Sequence, residues 1–481
     1  MLFNSLEYSV MFLPLVVLIF LFLKKFNIAL SKVWICCASL YFYTFFTFNF
    51  LPLLLISMLI NYAILTMMKS EKTKLYVALS VIFNVASLGY FKYCNFFASN
   101  ISSIFNLNIG HMNVIAPLAI SFYTFQQISL SVSLYRKQIS NISILNYCCY
   151  ILFFPKLISG PITNYDVITN QLNSRDNYFG KYFVPAVFIF SVGIFKKVVL
   201  SSYFGSIADQ GYANISALGA LEAWITSLSY SIQLYFDFSG YTDMAIGSAL
   251  LFGVVLPINF NSPYIATDLQ DFWRRWHITL STWLRNYVYI PLGGNRNGVL
   301  RTYLNLFLTF LIGGFWHGAG WNFLAWGALH GAGLVIHRYW SQNGFRMPSV
   351  VGWFITFNYV NITWIFFRTD NLNDAFSLLK KMFAGYDSLV SGFKYAQPFA
   401  DSFLYEASKG GFYMIAVCAI AIMTCLINVN SNVFMEMTKE HKSGIAWNLL
   451  APCLCAFGVC IAVTASLGGA APGSFIDLTQ Q

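Results

Sequence analysis

The sequence predicts an all-α polytopic membrane protein of eleven or twelve transmembrane helices, and three observations carry the prediction. Hydrophobic residues make up 58% of the 481, aromatic residues 19% and charged residues only 10%, far from the balance of a soluble multidomain chain. Apolar runs near the ~20 residues that cross a bilayer recur from one end to the other. Lys and Arg cluster in the gaps between those runs. The net charge of +10 therefore reads as the positive-inside bias of cytoplasmic loops, with no nucleic-acid partner implied.

Residues 9–23 form the first run. Lys24 and Lys25 follow it and Glu7 precedes it, the reverse of a secretory signal peptide, so a retained helix with an external N-terminus is expected. Residues 33–46 and 50–68 make an out-and-back pair ending at Lys69 and Lys74. Residues 76–98 go out, the loop 101–113 has no Lys or Arg, and 114–134 return to Arg136 and Lys137. Residues 146–162 and 183–198 are expected as the next pair, interrupted at Pro155 and Gly160-Pro161 and closed by a cytoplasmic Lys196-Lys197. Residues 221–257 exceed one crossing and are expected to hold two passes, or one pass and a broken segment. Residues 259–301 combine Trp with Arg and read as amphipathic helices in the cytoplasmic headgroup region. The last spans are 350–367, 412–427 and 445–463, with a mixed-charge loop or surface helix over 368–409. Ten cysteines lie in or beside apolar segments without C-x-x-C pairing, so they read as small buried hydrophobes.

Between Arg301 and Arg338 there is no Asp, Glu, Lys or Arg, yet His317 and His330 sit there among glycine and tryptophan. A titratable side chain at bilayer depth is costly and marks a functional site by default. If both arginines are cytoplasmic, the segment must enter and leave on one side. Residues 302–316 span only about 22 Å as a helix, too short for a hydrocarbon core of about 30 Å. A re-entrant pair turning at Gly318 and Gly320 is expected, with His317 at the bottom of a cavity. No metal site is implied, because His-x12-His is not a ligand spacing and no carboxylate completes it. Asp237 and Asp243 are also out of place in an apolar span. They read either as satisfying a helix break or as lining a substrate path. Trp273, Arg274, Arg275 and His277 combine cations with flat aromatics, which suits the phosphates and ring of a nucleotide-bearing thioester or, equally, a membrane-interface anchor.

These residues fall in blocks that resemble one family. The blocks are Gly89-Tyr-Phe-Lys-Tyr93, Ile120-Ser-Phe-Tyr-Thr-Phe125, Phe153-Phe-Pro-Lys-Leu-Ile-Ser-Gly-Pro161, Tyr235-Phe-Asp-Phe-Ser-Gly-Tyr-Thr-Asp243, Phe260-Asn-Ser-Pro-Tyr264, Asp271-Phe-Trp-Arg-Arg-Trp-His277, Gly313-Gly-Phe-Trp-His-Gly-Ala319, Trp326-Gly-Ala-Leu-His-Gly331 and Trp364-Ile-Phe-Phe-Arg368. In this order they resemble membrane-bound O-acyltransferases of the bacterial alginate O-acetylase branch, which includes peptidoglycan and cellulose O-acetylation systems. The resemblance implies one membrane domain over 1–481, with N-terminal helices in 1–200, a catalytic core in 221–340 and C-terminal helices in 350–470. It also implies a central tunnel, ringed by re-entrant and interfacial helices.

His317 takes the place of the family's catalytic histidine and would act as general base. Trp316, Asn322, His330, Asp237 and Asp243 would support it or line the tunnel. Acetyl-CoA would be the cytoplasmic donor substrate, with no bound cofactor. The setting would be the bacterial inner membrane, with the lipid bilayer, a polysaccharide acceptor and an extracytoplasmic O-acetyltransferase as partners. Two departures stand out. Ala119 replaces a Gly that similar proteins often carry, and the ending Gly473-Ser-Phe-Ile-Asp477 lacks an aromatic-rich terminus. The alternatives are D-alanyl transfer from a carrier protein, and a transporter or flippase in which His317 relays protons.

Overall fold

The computed structural model describes residues 1–384, apart from 46–47, 69–72, 111, 113, 140, 176–177 and the side chains of 178–179, together with Asn432. The expected spans 412–427 and 445–463 lie outside the described residues. Within them the chain is helical, without a strand. Among the described residues, five helices are long and apolar enough to cross a membrane: Glu7–Phe26, Thr73–Phe105, Gly180–Ala213, Val299–His317 and Ser349–Arg368. The protein is a multi-pass membrane protein.

In the first 135 residues a helix stands at each of the five expected runs. α1 (Leu13–Phe26) packs against α2 (Ile28–Thr44), α3 (Leu51–Met67) against α4 (Thr73–Leu88), and α4 against α6 (Ile120–Tyr135). α4 runs through a π-helical turn, Gly89–Tyr93, into α5 (Cys94–Phe105).

The next segment departs from expectation. α7 (Ile144–Leu152), α8 (Phe154–Leu157) and α9 (Tyr165–Asn173) do not cross. α7 and α9 pack side by side, and the Lys32 Nζ donates to both Asn146 Oδ1 and Asn173 Oδ1 at 2.8 Å. Both ends of the segment therefore lie at one level, while its tip carries Pro155, Lys156 and Gly160. The tip is wholly buried, with the Lys156 ammonium 4.0 Å from the centre of the Tyr150 ring. Non-helical backbone at depth is tolerated because protein surrounds it.

Lys196 and Lys197 are not a cytoplasmic end either. α10 (Tyr178–Ile194) continues through the π-helical turn Phe195–Ser201 into α11 (Ser202–Ala213). The two lysines lie mid-helix, where Lys196 pairs with Asp243 at 2.7 Å and Lys197 with Asp237. The positive-inside rule assumes a lysine that needs water; here a carboxylate on the neighbouring helix replaces the water.

That neighbour is α12 (Ala220–Leu251), a single unbroken helix of 32 residues. It is neither two passes nor a broken segment, because its carboxylates are neutralised by α10–α11 and have no freed backbone to satisfy. The two helices touch backbone to backbone. A Cβ on Gly240 would stand 2.7 Å from the Gly193 carbonyl oxygen, and one on Gly193 2.6 Å from that of Gly240. Small residues permit this approach, and it brings the short Asp side chains within reach of the lysines. α12 joins two apolar clusters, one with α1, α2 and the buried hairpin, the other with α11 and the C-terminal helices.

After α12 come α13 (Leu269–Arg275) and α14 (Ile278–Leu284), then the helical hairpin α15 (Val299–His317) and α16 (Trp321–Gln342), α17 (Ser349–Arg368) and the short α18 (Leu372–Phe383). The tryptophans of α13–α14 are not a headgroup belt. Trp273, Trp276 and Trp283 are no more than 8% exposed, and Trp283 stacks on Phe125 at 3.6 Å between ring centres.

Candidate active site

The α15–α16 hairpin differs from the half-length pair expected. α15 starts at Val299 and includes His317, and its 19 residues rise about 28 Å; the 22 of α16 rise about 33 Å. Each arm is long enough to span the hydrocarbon core. The arms lie backbone to backbone where Gly314 meets Gly327, and a Cβ at Gly314 would collide with the Phe323 carbonyl. Gly318 and Gly320 close the hairpin in extended conformation, and a Cβ on Gly318 would enter the Phe323 ring.

His317 is thus the last residue of α15. It is buried, with its ring edge-on to Trp326 and Phe367, each at 5.1 Å, and to Trp316 at 4.8 Å. Its Nδ1 is buried in this cage without a hydrogen-bond partner, and the residue lines a neighbouring cavity. That cavity, about 30 Å³, holds one water-sized group and is lined by Lys92, Ala119, Ser121, Ser159, Trp316 and His317. Ser159 comes from the buried hairpin tip, so the α7–α9 segment reaches the site.

The last carbonyls of a helix have no partner within it. Those of α15 are taken by the turn Gly89–Tyr93. Lys92 Nζ donates to the Trp316 and His317 carbonyls at 2.7 and 2.8 Å, and Tyr93 Oη to the Phe315 carbonyl at 2.8 Å. A cation at a helix C-terminus is also favoured by the dipole. Sequence reasoning missed Lys92, although it is the only Asp, Glu, Lys or Arg between Lys74 and Arg136.

The other expected residues scatter. His330 does not touch His317; Trp326 stands between them, 4.9 and 5.1 Å from the two rings. Trp273 Nε1 donates to His330 Nδ1 at 3.2 Å, so the His330 proton sits on Nε2, 2.9 Å from Thr363 Oγ1. Both nitrogens are thereby engaged. Asn322 Nδ2 donates to the Thr369 carbonyl at 2.7 Å and ties the hairpin tip to α17. Asp237 and Asp243 are held by the lysines of α10–α11. Trp316 packs against the His317 ring and lines its cavity.

A second cavity, of about 510 Å³, opens at the far end of the hairpin. Trp273, Arg274, Arg285, Phe310 and Arg338 line it, and among the described residues no carboxylate does. Among the described residues none of the three arginines forms an ion pair, and Arg338 Nε is buried without a partner. Arg275 belongs elsewhere. It bonds Asp271 at 2.8 Å and the Asn261 carbonyl at 3.3 Å. His277 is buried against Phe238, and burial lowers its pKa to about 3. It is uncharged at neutral pH and attracts no phosphate. Of the four donor-binding candidates, Trp273 and Arg274 face this cavity.

The model of the membrane-bound O-acyltransferase family matches residues 19–369. The chain belongs to this family. As an acyltransferase it has named relatives in several bacteria. It is 43% identical over 419 residues to the peptidoglycan O-acetyltransferase of Helicobacter pylori, covering 79% of this chain and 80% of the relative. It is 38% identical over 359 residues to a probable alginate O-acetylase of Pseudomonas aeruginosa, covering 72% and 68%. A teichoic acid D-alanyltransferase of Streptococcus thermophilus is 30% identical over 302 residues, 55% of this chain and 71% of the relative.

The acyltransferase's Ala119, one of the two departures noted above, caps α6 at φ +63°, ψ +11° beside the His317 cavity. This left-handed region suits glycine and strains a residue bearing Cβ. Ala119→Gly is expected to raise stability by about 1 kcal/mol, read as a higher melting temperature in mild detergent. An unchanged or lower value would refute the strain.

Proposed function

We propose that the protein moves acetyl groups from cytoplasmic acetyl-CoA across the membrane for O-acetylation of an extracytoplasmic polysaccharide or peptidoglycan, with His317 as general base. The observation that carries this reading is the position of His317, which lines one cavity while an arginine-lined cavity lies farther along its helix. Three unpaired arginines suit the phosphates of a nucleotide thioester. Phe310, on the wall of their cavity, is seven residues from His317, about 10 Å along α15. A flexible acyl-bearing arm has that distance to cover.

At His317 the acceptor oxygen attacks the thioester carbonyl carbon while its proton passes to the imidazole. The tetrahedral oxyanion then collapses, the C–S bond breaks, and the thiolate leaves with the proton from the imidazolium. A base so placed contributes about 10²- to 10⁴-fold. The setting is the bacterial cytoplasmic membrane, and an extracytoplasmic O-acetyltransferase takes the group onward to the polymer. The relatives named as O-acetyltransferases support acetyl over D-alanyl transfer, and the family membership argues against a transporter.

The test is turnover of acetyl-labelled CoA by the purified protein in nanodiscs. Arg274→Gln and Arg338→Gln are each expected to raise KM for acetyl-CoA about tenfold, the worth of a lost charge-assisted hydrogen bond, with kcat within threefold. No CoA release, but turnover of a D-alanyl carrier-protein thioester, would replace the donor assignment.

A further inference from the structure

Lys92 has a third N–H that the helix end does not use. An ammonium carries three donors; two are spent on the Trp316 and His317 carbonyls at 2.7 and 2.8 Å. Lys92 also lines, together with His317, the small cavity at this helix end. It lies on a π-helical turn, a distortion that recurs at functional sites. A role in capping alone leaves the cavity position unexplained, because Tyr93 caps the same end without lining the cavity.

We propose that Lys92 is a catalytic residue of acyl transfer, its remaining N–H stabilising the oxyanion of the tetrahedral intermediate formed at His317. The inference rests on the assignment of His317 as base. As the acceptor C–O bond forms, the carbonyl π electrons move onto oxygen, and the Lys92 N–H donates to that oxygen. When the C–S bond breaks, the electrons return to the carbonyl and the proton held by His317 leaves with the thiolate. Lys92 itself neither gains nor loses a proton.

Lys92→Gln keeps an N–H for the helix end and removes the cation. In nanodiscs with acetyl-labelled CoA, kcat is expected to fall about 100-fold, the scale of one lost oxyanion donor, with KM within threefold. Tyr93→Phe, which loosens the same helix end, is expected to lose less than about fivefold. If Lys92→Gln does not fold, Lys92→Met is read against the same expectation. A kcat within threefold of wild type, a loss confined to KM, or an equal loss in Tyr93→Phe would overturn the proposal. His317→Ala, run in parallel, separates the two readings: wild-type turnover there removes the base assignment, whatever Lys92 shows.

Discussion

His317→Ala is expected to fold and insert normally and to lose at least about 100-fold in acyl transfer, toward 10⁴-fold. The structure separates the two effects. Its Nδ1 makes no hydrogen bond, so truncation leaves no buried partner orphaned, and the surrounding rings keep their contacts with one another. Removing such a side chain costs packing alone, an ordinary loss for one substitution. The chemistry has no substitute. His330 is engaged at both nitrogens, Trp326 stands between the two rings, and among the described residues no carboxylate lines the cavity. The measurement is labelled acetyl release by protein matched for yield and gel-filtration profile. A well-folded variant retaining more than a tenth of wild-type turnover would rule out the base assignment.

Asp237→Leu is expected to destabilise by about 3–5 kcal/mol, because it strands the Lys197 ammonium in the core of the bundle. The side chains of the pair are 3% and 5% exposed. Lys197 lies against α12 where Gly193 and Gly240 bring the backbones into contact, so neither helix can withdraw to admit water. Combining Asp237→Leu with Lys197→Met is expected to restore most of the loss, since two apolar chains replace a pair whose desolvation offsets its attraction. Denaturation in mild detergent reads both variants. A double variant no more stable than Asp237→Leu would show that the carboxylate acts through other contacts.

The neighbouring Lys196–Asp243 pair explains why the span count misread this region. Charge patterning treats Lys196-Lys197 as a loop signal, and a run of apolar residues cannot reveal that Asp237 and Asp243 lie opposite. The first span, α1, was legible because Lys24 and Lys25 do stand at its end. The α7–α9 hairpin was half legible: Pro155 and Gly160-Pro161 announced an interruption, but only the joint grip of Lys32 on Asn146 and Asn173 makes it return. The short returning pair is thus α7–α9 and not α15–α16, since α15 gains length at both ends over residues 302–316.

What the sequence by itself determined is the membrane bundle, the family, and His317 as the residue to examine. These follow from composition, the order of motifs, and the high cost of a histidine in a charge-free stretch. What only the tertiary structure decided is what surrounds that histidine. Lys92 and Tyr93 reach it across more than 220 positions of sequence, Ser159 arrives on the tip of a buried hairpin, and His330 and the two aspartates are claimed by other partners. Periodicity and charge describe how a segment meets its solvent. They do not describe which helix crosses which, and here that depends on glycine contacts that let backbones touch and buried charges pair.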